Sequence, residues 1–182
     1  RNMLYVWTSD RAKNSGEGKL ARMFIEYLID KNNYKIKFNT NQQQNYNRYI
    51  SPFIGILYCW KNYLKKRKVA YINYLPFWNC FIFILLPPKT ILGPITGGAL
   101  FNKNSLFNYL IRKHLFNLLY KISELIINIR FSNLIFSTDL LKKYLSKKTI
   151  KKSNFNFVFT NFVIKKAVKK KIDFLIYYRK HK

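Results

Sequence analysis

Two glycine-bearing stretches hold the residue types and spacings that could do chemistry. The first is Ser15-Gly16-Glu17-Gly18-Lys19-Leu20-Ala21, which follows an apolar run and opens an amphipathic one. Gly16, Gly18 and Ala21 match the glycine spacing of dinucleotide-binding folds, with alanine in the third place. Glycines at a helix N-terminus let backbone N–H groups, at the positive end of the helix dipole, approach an anion closely. Two features argue against a nicotinamide or flavin site. The polar stretch before Ser15 is longer than the usual tight turn, and Asn39 stands where an acidic ribose ligand would be expected. A phosphate- or sugar-facing loop remains, beside the plainer reading of a glycine turn that only caps a helix. The second stretch is Leu92-Gly93-Pro94-Ile95-Thr96-Gly97-Gly98, a turn that would expose backbone amides at the carboxyl end of a strand, where ligands collect in open α/β sheets. The alternative is an ordinary strand-to-helix loop.

Other reactive residues are few. The carboxylates are Asp10, Glu17, Glu26, Asp30, Glu124, Asp139 and Asp173, and no two are spaced for acid–base work. His114 falls within a long helical pattern and His181 close to the last residue, so neither a metal set nor a catalytic triad emerges, and no cofactor is expected. Cys59 and Cys80 have no metal-ligand spacing and apolar neighbours, as expected of reduced, buried thiols.

Positioning these loops requires alternating elements. Unalternated apolar runs at 3–7, 69–73, 90–92 and 172–178 predict parallel strands buried on both faces, with further strands at 34–38, 133–136 and 155–159. Helices are predicted at 15–30, where Ser15 caps and Leu20, Ala21, Phe24, Ile25, Leu28 and Ile29 form one face, and at 51–64, where Ser51 caps and Pro52 takes the first helical position. Pro76 is expected to open a buried apolar helix that Pro87 and Pro88 stop. The longest helix should cover 105–129 and a short one 138–145. Strands alternating with helices give an α/β fold class: a Rossmann-like parallel sheet with helices on both faces. The apolar stretch 69–86 is interrupted by Asn73, Pro76 and Asn79, so it falls short of the roughly 20 residues of a membrane span.

The charge sets the surroundings. With 34 basic and 7 acidic residues the chain carries +27, yet 49% hydrophobic and 18% aromatic content excludes a disordered tail. Abundant Lys, Asn, Ile, Phe and Tyr follow AT-rich codons, which accounts for part of the lysine excess. Attraction to an anionic membrane surface accounts for the rest better than nucleic acid does, because Phe24, Phe81 and Phe83 fall on apolar helix faces rather than among the basic residues. No secretory signal opens the sequence. It begins at Arg1 and ends at Lys182, straight after a strand-like run, so both ends read as cut.

Several segments resemble, in order, the first half of bacterial glycosyltransferase family 4 enzymes, which have the two-domain GT-B fold. They are Thr8-Ser9-Asp10 with Asn14-Ser15-Gly16-Glu17-Gly18, Tyr74-Leu75-Pro76-Phe77-Trp78-Asn79, Leu86-Pro87-Pro88-Lys89-Thr90, the Gly93–Gly98 stretch and Phe136-Ser137-Thr138-Asp139-Leu140-Leu141. The resemblance implies an acceptor-side domain over 1–165, then a linker and the first strand of a donor-binding domain over 166–182. It implies retaining sugar transfer from a nucleotide-sugar donor, used as substrate, to a glycan or lipid-linked acceptor of lipopolysaccharide type in cell-envelope synthesis. Ser15, Gly16, Glu17 and Gly18, with Thr96, Gly97 and Gly98, would face the donor phosphates or the acceptor. Catalytic residues stay unassigned, the chain alone should turn nothing over, and the expected location is cytoplasmic and peripheral to the inner membrane. The alternative is a non-catalytic basic module for a membrane surface or nucleic acid.

Overall fold

Met3–Trp7 (MLYVW) lacks helical periodicity and carries β-favouring Tyr, Val and Trp, and it forms β1, the inner strand around which the sheet is built. The computed structural model describes residues 3–9, 16–32, 34–39, 49–73, 75–97 and 112–155. In chain order these form β1, α1 (Gly16–Asn32), β2 (Lys35–Phe38), α2 (Ser51–Leu64), β3 (Lys68–Tyr71), β4 (Leu75–Pro76), α3 (Cys80–Leu85), β5 (Ile91–Leu92) and β6 (Ile95–Thr96). A π-helical turn, Arg112–Phe116, leads into α4 (Asn117–Arg130). Then come β7 (Leu134–Ile135), a 3-10 helix at Asp139–Tyr144, α5 (Lys147–Lys151) and β8 (Ser153–Asn154).

The main sheet has the order β2-β1-β3-β5 with every neighbouring pair parallel. Alternation along β1 divides the core. Leu4 and Val6 pack with Ala21, Phe24, Ile25 and Leu28 of α1 on one face. Trp7 packs on the other with Ile56 and Cys59 of α2, Phe83 of α3, and Tyr120 and Ile127 of α4. The mixed α/β class with a parallel sheet covered on both faces is as the sequence predicts. Gly55 seats α2 on the sheet. A Cβ there would lie 2.3 Å from Trp7 Nε1 and 2.7 Å from the Tyr71 ring, so only glycine permits this approach.

Two expectations are corrected. Pro76 opens no helix but ends β4, which pairs with β6 in the register Leu75↔Ile95 and Pro76↔Thr96. Proline has no N–H to give, and the ladder is continued by Phe77 N–H donating to Thr96 O at 2.8 Å, so the helix starts only at Cys80. Ser51 lies inside α2; the N-cap is Ile50, with no side-chain capping bond. The short helix expected at 138–145 is present and is 3-10, its start fixed by Leu140 N–H donating to Thr138 Oγ1 at 3.2 Å. Ser153 and Asn154 form a strand beside β7, and of the strand expected at 155–159 only Phe155 lies within the described residues. The first part of the expected 105–129 helix and the strand at 172–178 lie outside the described residues, as do 156–182.

Candidate functional site

The chain leaves β1 to one side for β2 and then returns across it to β3. The order therefore reverses between β1 and β3, and in parallel α/β sheets the crevice at such a reversal is the preferred ligand site. Three local events shape that edge. β1 ends at Trp7 and is followed by buried Thr8 and exposed Ser9. β3 stops at Tyr71, and its course resumes as β4. β5 stops at Leu92, and its course resumes as β6. Ile72 N–H donates to Trp7 O at 2.8 Å, and Gly93 N–H to Tyr71 O at 2.7 Å, so the three strand ends are locked level.

At this notch Asn73 accepts twice through Oδ1, from Ser9 N–H at 3.0 Å and from Ser9 Oγ–H at 2.7 Å. These bonds join residues 64 apart in sequence and hold the loop after β1 against the end of β3. Gly93 makes the close approach possible. A Cβ at this position would lie 2.8 Å from Asn73 N and 2.9 Å from Asn73 O. Behind the notch, burial pushes the Tyr71 hydroxyl up to about 12, with the neighbouring Asn73 side chain pulling the other way. Burial also pushes the Cys59 thiol far up, so it stays protonated and unreactive.

Gly16, Glu17 and Gly18 form the first turn of α1, which begins after the carboxyl end of β1; Gly18 is buried. Ser15 and Gly98 lie outside the described residues. Thr96 and Gly97 are built into the fold. Thr96 is buried and its hydroxyl donates to Leu75 O at 3.4 Å. Gly97 has φ +149°, a conformation that disfavours side chains, and a Cβ there would meet Leu141 at 3.3 Å, Phe77 at 3.4 Å and the Tyr120 hydroxyl at 3.5 Å. His114 sits exposed in the π-helical turn. Among the described residues no His, Cys, Asp and Glu cluster could hold a metal.

Ser9 and Asn73 are residues that the search for catalytic types passes over. Their signal in the sequence is position: a short polar residue two places after the end of each of two apolar strands. Hydroxyl and amide groups bind sugar hydroxyls and phosphate oxygens but do not ionise near neutral pH, so these residues are suited to bind and orient rather than to act as acid or base.

The fold is a parallel α/β sheet, and the Ser9–Asn73 contact stands at its switch point, where sheets of this kind bind ligands. Compared with known proteins, the chain matches no family model, and neither the curated proteins nor the solved structures include a significant match.

Proposed function

We propose that the chain is the acceptor-side half of a retaining GT-B glycosyltransferase, moving a sugar from a nucleotide-sugar donor to a lipid-linked or glycan acceptor. The observation that carries this reading is the notch. Ser9, Asn73 and Gly93 meet where the strand order reverses, and α1 begins from that same edge with Gly16 and Gly18 in its first turn. The positive end of α1 would stabilise charge building on a leaving diphosphate. Ser9 and Asn73 would bind the donor at the same edge and orient hydroxyls of the acceptor toward it. The motif series in the sequence supports the same family.

A lipid-linked acceptor fits the opposite side of the molecule from α1. Phe53, Leu57 and Leu64 of α2, Phe81 of α3, and Leu118, Leu125 and Ile129 of α4 are all exposed. No helix among the described residues is long and apolar enough to cross a membrane, so the attachment proposed is peripheral and lies on this face.

At 22.0 kDa the chain suits amide chemical-shift mapping. UDP, GDP and their sugar conjugates should shift the amides of Gly18, Ser9, Asn73 and Gly93, with affinity about fivefold to tenfold weaker in Asn73→Ala. No sugar transfer is expected from this chain alone. Shifts that bypass the notch at millimolar ligand, or turnover by the chain by itself, would sink the reading.

A further inference from the structure

A cavity of about 580 Å³ opens at the amino ends of β3 and β5, within the roughly 300–1,000 Å³ of small-molecule sites. Among the described residues its lining divides by chemistry. Lys66, Lys68 and Lys89 bring amines, while Leu64, Pro88 and Ile91 bring apolar surface. Lys68 Nζ stands 5.3 Å from the ring centroid of Tyr34, so this amine sits against another residue of the lining. Arg67 lines the cavity too, but its guanidinium is committed elsewhere, 4.6 Å from the Tyr5 ring centroid and donating to Asn62 Oδ1 at 3.2 Å. No carboxylate is among the described lining residues, and none of the three lysines forms an ion pair among the described residues.

Two of these lysines are held in backbone conformations that disfavour any side chain. Lys66 has φ +56° and Lys89 φ +62°, and among the described residues they are the only non-glycine positions with positive φ. Lys66 follows Lys65, the C-cap of α2, and closes a paired turn: its N–H donates to Tyr63 O at 2.8 Å and the Arg67 N–H to Asn62 O at 3.1 Å. Glycine is the usual occupant of that position. Lys89 lies in the turn before β5, which is pinned to the end of α4. Its N–H donates to Arg130 O at 3.1 Å, Arg130 Nη2 donates to Leu86 O at 2.5 Å, and Thr90 Oγ1 to Pro87 O at 2.7 Å. Left-handed residues that the surrounding bonds hold in place cluster at ligand sites. Here both carry an amine and both line one cavity.

We propose that this cavity binds an amphiphilic phosphate monoester, with its phosphoryl group among Lys66, Lys68 and Lys89 and the first carbons of its chain against Leu64, Pro88 and Ile91. A monoester carries about two negative charges at neutral pH and three terminal acceptor oxygens, one for each amine. A carboxylate or a phosphodiester would bring a single charge to the same three amines. Inorganic phosphate would answer the amines but leave the apolar part of the lining in water. The inference does not rest on the transferase reading, because the cavity lies at the amino ends of the strands and the Ser9–Asn73 notch at their carboxyl ends.

Calorimetric titration of the 182-residue chain with monomeric hexyl phosphate at fixed ionic strength tests it, with inorganic phosphate and hexanol as parallel titrants. Hexyl phosphate should bind saturably and about tenfold more tightly than phosphate, the gain from burying about two methylene groups. Lys66→Gly and Lys89→Gly, made singly, should each weaken hexyl phosphate about tenfold yet raise the urea midpoint of the free protein, since glycine relieves the left-handed backbone. Those opposed signs separate a lysine that holds a ligand from one that only closes a turn. Phe53→Ser with Leu57→Ser, elsewhere on α2, should leave the binding unchanged. Vesicles of phosphatidylcholine with phosphatidic acid distinguish the two sources of such an ester. Release of bound protein by hexyl phosphate makes the occupant a bilayer lipid, and no release makes it a free ester; both uphold the site. The proposal fails if hexyl phosphate shows no saturable binding, or binds no better than phosphate. It fails equally if both glycine variants bind like wild type, if they lose binding and stability together, or if the serine variants abolish binding, which would put the ligand on the exposed helix face.

Discussion

Glu124 in α4 is placed to hold two helices together. Its Oε1 accepts from Ser146 Oγ at 2.7 Å, Thr149 Oγ1 at 2.6 Å and Ser146 N–H at 3.3 Å, while Ser146 Oγ in turn caps α5 through Thr149 N–H. Burial alone would raise its pKa, but these bonds and nearby Lys152 hold the carboxyl below its ordinary value. Stability linked to a depressed carboxyl is present above its unfolded pKa, near 4.3, and is lost as pH falls through the lower folded value. Glu124→Gln should therefore destabilise the protein by about 1–2 kcal/mol at pH 7. The difference from wild type should shrink in urea melts as pH falls below about 4. A penalty that is the same at pH 7 and pH 3 would mean that packing, not charge, is what Glu124 supplies. Two other residues make a sharper chemical test. Cys59 and Cys80 are both buried, and burial holds the Cys59 thiol protonated. A thiol reagent should label Cys59 in step with unfolding, and rapid labelling of the native protein would contradict that burial.

At the scale of elements, close approach rather than propensity sets the geometry of the sheet face. Gly55→Ala would force a methyl group into Trp7 and Tyr71, so α2 must lift from β1 and β3, at a cost of about 1–3 kcal/mol by analogy with overpacked cores. Chemical denaturation of the variant measures that cost, and an unchanged midpoint would show that α2 can shift freely. α4 ends with another device: Lys152 Nζ donates to the carbonyls of Ile127, Asn128 and Phe131, satisfying the last turn from a residue beyond it. β1 and α2 were legible because the apolar content of MLYVW and the Ser-Pro start of a periodic run each point to one outcome. β4 and β6 were not. Two-residue strands carry no periodicity, and they exist because β3 and β5 break together at Asn73 and Gly93 and then resume in register. The glycines divide in the same way. The sequence reads Gly93 and Gly97 as part of a turn that exposes backbone amides, yet the Gly93 amide is bonded to Tyr71 O, and close packing, with a positive φ at Gly97, is what the structure asks of them. Ser9 and Asn73 were hidden because their partnership spans 64 residues, and no local spacing announces it.

At the scale of the molecule, the charge of +27 is most informative beside the apolar surface it accompanies. Ile50, Phe53, Leu57 and Leu64 recur along α2 at intervals that keep to one side, and Leu115, Leu118, Ile122, Leu125 and Ile129 do the same through α4. Between them α3 packs against α4, and Trp60 of α2 donates from Nε1 to Leu85 O at its end at 2.6 Å. The three helices thus bring exposed apolar side chains to one sheet face. The turn after α2 and the first residue of β3 add Lys65, Lys66, Arg67 and Lys68, all exposed. A nucleic-acid surface would not need the apolar stripes, whereas an anionic bilayer uses both, with each basic side chain near the surface contributing about 1 kcal/mol. The chain should co-sediment with vesicles containing phosphatidylglycerol and much less with pure phosphatidylcholine. Lys66→Gln with Lys68→Gln should lower the partition by about tenfold or more. Phe53→Ser with Leu57→Ser should lower it comparably without changing the salt dependence, because the stripes bind through buried area rather than counterion release. If the serine variants sediment like wild type while RNA displaces the protein from vesicles, charge alone is acting. The membrane face must then be abandoned, and with it the lipid-linked acceptor.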